Sequence, residues 1–95
     1  MKNGTAYFMI LEAVRSQPGL IHGQLQDGNA YCAIGSYFHV NEQTCLQETL
    51  IDEVAAVNDS MPSLTPKNRK LQMMRWLRWK LDCLGMRVYS HTKKP

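Results

Sequence analysis

The sequence lacks the features that define several common classes of protein. None of its apolar runs is long enough to cross a membrane. Glu12 interrupts the short apolar run near the N-terminus, and no small-residue cleavage site follows, so the pattern does not match a signal peptide. Cys32, Cys45 and Cys83 are an odd number of cysteines without paired spacing, which favours reduced thiols. We therefore expect a cytoplasmic protein without a membrane partner.

Signatures of catalysis and metal binding are also missing. No glycine-rich loop of the phosphate-binding kind is present, and the cysteines and histidines lack the close pairs typical of structural zinc sites. A cysteine such as Cys32 or Cys45 could pair with a histidine as nucleophile and base, but no local signature singles out a pair. We therefore expect no catalytic residue, no metal site and no cofactor.

Size and composition favour one folded unit. The chain has 95 residues, of which 44% are hydrophobic, enough to bury a core without metals or disulfides. We expect a single domain over residues 1–95, with a frayed tail from about residue 90.

Charge is strongly segregated along the chain. Residues 1–65 hold two basic against seven acidic residues, a net charge of −5, whereas residues 66–95 hold nine basic residues against Asp82 alone, a net charge of +8. Such a division gives one end that attracts polyanions and another that attracts cationic surfaces.

The first half of the chain predicts a helix and a small hairpin. Residues 5–16 have helical apolar spacing, with Thr5 as the N-cap and a Gln-Pro-Gly stop. The Asp27-Gly28 pair favours a type I′ hairpin turn. Residues 31–40 fit both a strand and a helix, because a short apolar run does not distinguish the two periods.

The second half predicts two helices separated by a loop at 58–64. Thr44 and Gln47 have capping-box spacing before the first, whose apolar face holds Leu46, Leu50, Ile51, Val54 and Val57, while Glu48, Asp52 and Glu53 lie away from that face. The last helix has Thr65 as N-cap, Pro66 at its first position and Gly85 as its stop. A short strand could follow from residue 86.

The last helix carries two apolar arcs, and this raises a question about its tryptophans. One arc holds Met73, Met74, Leu77, Leu81 and Leu84; the other holds Trp76, Trp79 and Cys83. Arg75, Arg78 and Asp82 fill one gap between the arcs, and Lys80 and Arg69 fill the other. Either the helix packs on two sides, or the tryptophans are exposed beside arginines, a composition enriched at interface hot spots.

Three segments carry a resemblance to a known family. At "YCAIGSYF", "LIDEVAAVND" and "LTPKNRKLQMMRWLRWKL" the sequence resembles uncharacterised small phage, prophage and bacterial proteins. Their shared pattern is a helix, a Gly-rich hairpin, a Cys-Ala-x-Gly helix, an Asn-Asp loop and a closing helix, and the match covers about residues 5–84. The basic, Trp-containing last helix departs from this pattern. The resemblance favours helix over strand at 31–40 and implies an accessory protein of anti-defence type, similar to anti-CRISPR proteins.

Together these observations predict a mainly α domain of about four helices, with a small β-hairpin between the first and second. The predicted core consists of Ile10, Val14, Ile34, Phe38, Leu50, Val54, Met74, Leu77 and Leu81. The predicted function is non-enzymatic binding that modulates or inhibits a host protein or nucleoprotein complex in the host cytoplasm, by a monomer or homodimer. The candidate binding residues are Trp76, Trp79, Arg75, Arg78, Lys80, Glu48, Asp52, Glu53 and Asp59. The alternative is a nucleic-acid-binding protein that uses the basic last helix.

Overall fold

The computed structural model describes residues 2–41 and 46–86, and these form four helices and one hairpin. The elements are α1 (Asn3–Arg15), β1 (Gln26–Asp27), β2 (Ala30–Tyr31), α2 (Ala33–Val40), α3 (Glu48–Asp59) and α4 (Pro66–Cys83). The two strands are antiparallel neighbours between α1 and α2. The predicted fold class is confirmed, whereas the strand considered beyond residue 86 lies outside the described residues.

One hydrophobic core joins all four helices, and α1 packs chiefly against α4 and α2. Of the predicted core, the buried members are Ile10, Val14, Ile34, Leu50, Val54, Met74, Leu77 and Leu81. Phe38 is only partly buried at the edge of the core, because it lies near the exposed C-terminal end of α2. Leu84, which the apolar arc grouped with the core, is exposed just after α4 ends.

Both ends of α4 follow the sequence prediction. The Thr65 hydroxyl accepts a hydrogen bond from the Asn68 backbone N–H at 3.1 Å, which satisfies one of the free donors of the first turn. At the other end Gly85 has a φ of 76°, the left-handed conformation that favours glycine. The Met86 N–H then donates to the Leu81 carbonyl at 2.9 Å. This closing bond, together with the glycine, is a Schellman cap.

Two local predictions in the first half are wrong. The helix α1 begins at Asn3 with Lys2 as its N-cap, so Thr5 lies inside the helix. In the hairpin, Asp27 pairs with Ala30, and the turn is formed by Gly28 and Asn29. Only Gly28 has a positive φ, at 62°, which is the pattern of a type II′ turn and not of type I′. The turn residues locate a hairpin, but the pairing of the strands decides its register.

Residues 33–40 are helical, as the resemblance favours. The Cys32 sulfur is the N-cap and accepts from the Gly35 N–H at 3.3 Å. Gly35 is needed for close packing, because a Cβ there would lie 2.0 Å from the Leu25 carbonyl oxygen. The missing side chain therefore lets the first turn of α2 lie directly against the backbone of Leu25, the residue before β1.

The helix α3 is shifted toward the C-terminus relative to the prediction. It begins at Glu48 with Gln47 as N-cap, and the predicted capping residue Thr44 lies outside the described residues. Its end includes Asn58, which is fully buried and not in a loop. The Asn58 side chain accepts from the Ala33 N–H at 3.0 Å and donates to the Ile21 carbonyl at 2.8 Å. These bonds hold the start of α2 and the segment around Ile21, between α1 and β1, against α3.

Candidate functional site

The basic residues of α4 divide into those that serve the fold and those that are free for a partner. Arg69 belongs to the first group, since it is only 3% exposed. Its guanidinium donates to four backbone carbonyls, those of Leu20, Met61, Pro62 and Leu64. The distance from the guanidinium nitrogen to the carbonyl oxygen is 3.0 Å for Met61 and 2.7 Å for Leu64. Arg69 therefore fastens the loop before α4 to the chain after α1.

Two lysines of α4 are also engaged within the molecule. Lys70 donates to the Arg15 carbonyl at 3.1 Å, at the C-terminal end of α1. Lys80 donates to the Glu53 carboxylate at 2.9 Å and links α4 to α3. Lys80 was a candidate binding residue, but its charge already has an internal partner.

Trp76 belongs to a cluster of mixed polar and aromatic character, which we call the Tyr7 cluster and define as Tyr7, Glu53, Trp76 and Lys80. The ring of Trp76 packs edge-on against Tyr7, with centroids 6.0 Å apart and planes at 83°. The Lys80 ammonium lies 5.6 Å from the centre of each of these rings. Trp76 is half-buried, so this tryptophan packs at the edge of the core and ties α4 to α1.

The Tyr7 cluster also shifts the ionisation of its two acidic groups. Partial burial raises the pKa of the Glu53 carboxyl, but hydrogen bonds from Tyr7 and Lys80 and the Lys80 charge outweigh burial, so the net pKa lies below its ordinary value. The pKa of the Tyr7 hydroxyl is raised by burial, by its hydrogen bond to Glu53 and by that negative charge. At neutral pH the cluster therefore holds the Glu53 carboxylate and the neutral Tyr7 phenol.

Trp79 is different, because 57% of its surface is exposed. It lies at helical spacing from Gln72 and Arg75, and Arg75 is in turn three and four residues from Arg78 and Leu71. Gln72 and Arg75 are exposed, Arg78 is half-buried, and Leu71 is 46% exposed. These residues form one continuous surface that we call the α4 face: Leu71, Gln72, Arg75, Arg78 and Trp79. The two tryptophans thus have different environments, one at the core edge and one in solvent.

A groove of about 580 Å³ runs along one side of the α4 face. Its lining combines apolar side chains from the helix and the preceding loop with polar and cationic ones: Leu64, Asn68, Leu71, Gln72, Met74, Arg75 and Arg78. Leu64 lies in the loop that Arg69 holds in place. The fold therefore fixes the groove wall opposite the helix.

The arginines of the α4 face have no ion-pair partner in the described part of the chain. Ion pairs among residues 2–41 and 46–86 join Arg15 to Glu12 and Lys80 to Glu53. The Arg75 and Arg78 guanidiniums take part in neither pair. Among the described residues these two cations therefore have no carboxylate partner, and Arg75 lies one turn before the exposed Trp79.

The candidate acidic surface is smaller than the sequence suggested. Glu48 and Asp52 are exposed one turn apart on α3. Glu53, however, belongs to the Tyr7 cluster, where its carboxylate accepts a hydrogen bond from Tyr7. Asp59 accepts a hydrogen bond from the Gly23 N–H at 2.9 Å. Two of the four acidic candidates therefore serve the fold.

The two thiols that the structure describes offer little support for nucleophilic chemistry, and the other candidate nucleophile, Cys45, lies outside the described residues. Burial raises the pKa of the Cys32 thiol and outweighs the opposing hydrogen bonds from backbone N–H groups. Cys83 is exposed just before α4 ends. Within the described ranges, no three His, Cys, Asp or Glu side chains come together in a cluster able to hold a metal ion.

Sequence reasoning missed the role of Arg69 and the groove beside Leu64. A signal for Arg69 was present, since it precedes Met73 by four residues and Leu77 by eight and so shares their buried side. The groove had no such signal, because Leu64 comes from a loop that the wheel of the last helix does not contain.

Comparison with known proteins identifies no relative: no protein family, curated protein or solved structure matches the chain. The phage-type resemblance of the motifs remains a prediction. In the part of the chain that the structure describes, no helix combines the length and apolar character that a membrane span requires.

Proposed function

We propose that the chain is a non-enzymatic binding protein and that the α4 face is its working surface. The observation that carries this proposal is Trp79, a large aromatic side chain 57% exposed on a well-packed helix. Tryptophan gains free energy from burial, and protein interfaces are enriched in tryptophan and arginine. A partner that covers Trp79 would bury its exposed surface without any change in the core.

The neighbouring arginines support the same surface. A guanidinium binds carboxylates or phosphates through two parallel hydrogen bonds, and a free pair beside an aromatic ring gives both affinity and orientation. Arg75 lies one turn before Trp79 and three residues before Arg78, and neither arginine is ion-paired within the described residues, whereas Lys80 and Trp76 are held in the Tyr7 cluster. The proposal therefore rests on Arg75, Arg78 and Trp79.

The motif resemblance supports a more specific form of the proposal. In that form the chain is a phage or prophage accessory protein of anti-defence type, which inhibits a host protein or nucleoprotein complex by covering part of its surface. Such a role depends on a rigid, charged surface and needs no catalytic group.

The test compares proteins captured from host extract by three immobilised baits. The wild type, Trp79→Ala and Phe8→Ala are compared, because Phe8 is another exposed aromatic residue but lies on α1. We expect Trp79→Ala to remain folded, since exposed substitutions change stability by about 0.5 kcal/mol or less. It should lose the partner that wild type and Phe8→Ala both retain. A partner captured equally by all three baits would refute the α4 face as the working surface.

The nucleic-acid alternative has weaker support. Of the described basic residues in the last helix, Arg69, Lys70 and Lys80 donate their hydrogen bonds inside the molecule. This leaves Lys67, Arg75 and Arg78 for phosphate contacts, a short patch for the strong counterion release that drives such binding. Tight DNA binding with a steep salt dependence, abolished by charge reversal at Arg75 and Arg78, would favour this alternative.

A further inference from the structure

We infer that the groove beside the α4 face binds an acidic amphipathic segment of a partner protein, with an apolar side chain in the groove and carboxylates on its two arginines. This inference rests on the proposed function, since it specifies the chemistry of the ligand for the same surface. Three features of the groove lead to it: its apolar walls, its two arginines that have no ion-pair partner among the described residues, and its place on the same helix as the exposed Trp79.

The apolar walls call for an apolar side chain. Leu71 is 46% exposed, Met74 lies beneath it and is nearly buried, and Leu64 closes the opposite side. A groove of about 580 Å³ has room for a leucine- or phenylalanine-sized side chain with part of its backbone. Burial of such a side chain contributes favourably, because it removes apolar surface of both partners from water.

The cationic side of the groove calls for carboxylates. Arg75 and Arg78 line the groove, and within the described ranges neither belongs to an ion pair. They are three residues apart on one helix, so two acidic residues on neighbouring turns of a bound helix would meet them. Each could accept two parallel hydrogen bonds from a guanidinium.

A protein segment fits this combination better than a polynucleotide. A nucleic acid offers phosphates for the arginines but places no aliphatic side chain between Leu64 and Leu71. The acidic helix α3 of a second copy fits poorly as well. It carries the exposed Glu48 and Asp52, yet none of the large apolar side chains that are well exposed in the described residues lies on it. The ligand must carry an apolar side chain and carboxylates on the same face.

The experiment uses a fluorescein-labelled synthetic helical peptide with leucines at three- and four-residue spacing and glutamates elsewhere. Fluorescence anisotropy measures its binding to the full chain. Two control peptides replace leucine by serine or glutamate by glutamine, and a single-stranded DNA oligonucleotide serves as a polyanion without apolar side chains. We expect the parent peptide to bind and each control to bind about tenfold more weakly or worse.

Protein variants locate the binding on the surface. Arg75→Glu combined with Arg78→Glu, and separately Leu71→Ser, should each weaken the parent peptide by about tenfold or more. Lys67→Glu is the matched control, because Lys67 is another exposed cation of α4 but does not line the groove. Its effect should stay within about twofold. Circular dichroism confirms that every variant is folded.

The following outcomes would each overturn the inference that the groove binds an acidic amphipathic segment. Equal binding of the leucine and serine peptides would mean that charge alone attracts them. Strong DNA binding without peptide binding would assign the arginines to phosphate. A dimer in sedimentation that charge reversal at Arg75 and Arg78 abolishes would make a second copy the occupant. If the peptide fails while capture of a partner still depends on Trp79, the proposed function stands and only the ligand chemistry is wrong; if both fail, both proposals are wrong.

Discussion

Replacement of Arg69 by methionine should remove a main support of the fold, although Arg69 lies in a helix rich in surface cations. The change keeps most of the aliphatic volume but deletes the Arg69 donors to the carbonyls of Leu20, Met61, Pro62 and Leu64. The Met61 carbonyl keeps a hydrogen bond from the Leu64 N–H at 3.3 Å. Hydrogen bonds from a charged group contribute about 1.5–3 kcal/mol each. The bond to Pro62 is long, at 3.4 Å, so three bonds carry most of this energy.

Two effects reduce the simple sum. The variant no longer buries a guanidinium, which regains part of the desolvation cost. The carbonyls of the loop before α4 lie near the exposed Pro62 and Ser63 and can bind water, whereas Leu20 is fully buried. An orphaned buried carbonyl costs about 1–3 kcal/mol. We predict that Arg69→Met lowers the free energy of unfolding by about 3 kcal/mol, a large part of the roughly 5–15 kcal/mol that is typical of a domain.

Urea unfolding followed by circular dichroism measures this loss, with Lys67→Met as the control. Lys67 is an exposed cation of the same helix, and its replacement should change the free energy of unfolding by about 0.5 kcal/mol or less. Arg69→Lys keeps the charge but loses the planar fork, so its loss should fall between those of the other two variants. A loss of about 1 kcal/mol or less for Arg69→Met would refute the structural role of Arg69.

Three further predictions concern buried or paired groups. Among the residues that the structure describes, the buried Tyr37 hydroxyl has no hydrogen-bond partner, so Tyr37→Phe should raise the free energy of unfolding by about 1 kcal/mol; a clear loss in urea unfolding would reveal a partner. Glu53 has a folded pKa below its ordinary value of 4.5, so its contribution is present above that pH and lost as the pH falls through the folded pKa. The stability difference between wild type and Glu53→Gln should therefore shrink in acid, and a constant difference would contradict the pairing. Alkylation followed by mass spectrometry should modify Cys83 quickly and Cys32 slowly; a fast Cys32 would reopen the question of thiol catalysis.

The sequence predicted the ends of a helix correctly where a single residue acts within one helical turn. Thr65 and Gly85 bracket α4 because a hydroxyl cap and a left-handed glycine act within a single turn. Thr5 failed as a cap because the chain before it continues in helix to Asn3, and helical propensity alone does not fix the first residue. The hairpin turn moved by one residue for a similar reason, since strand pairing decides the register.

The candidate site was only partly predictable from sequence. The wheel of the last helix identified Trp76 and Trp79 as a second apolar arc, but it could not show that Tyr7 packs against Trp76 while Trp79 stays 57% exposed, with the Lys80 ammonium 5.7 Å from its ring centre. It also grouped Arg69 with surface cations, whereas Arg69 bonds to three carbonyls of the loop just before α4 and to the distant Leu20 carbonyl. Long-range partners of this kind leave no periodic trace in the sequence.

Site-specific photo-crosslinking tests the α4 face most directly, because it captures a partner whose identity is not yet established. A benzoylphenylalanine is placed at Gln72, which is exposed beside Arg75 in the groove, at Asp52 on the acidic α3, or at Phe8 on α1. Irradiation of cells that express the chain should give a discrete adduct from position 72 and none from the other two positions. An adduct from position 52 or position 8 without one from position 72 would contradict the account and move the binding surface away from α4.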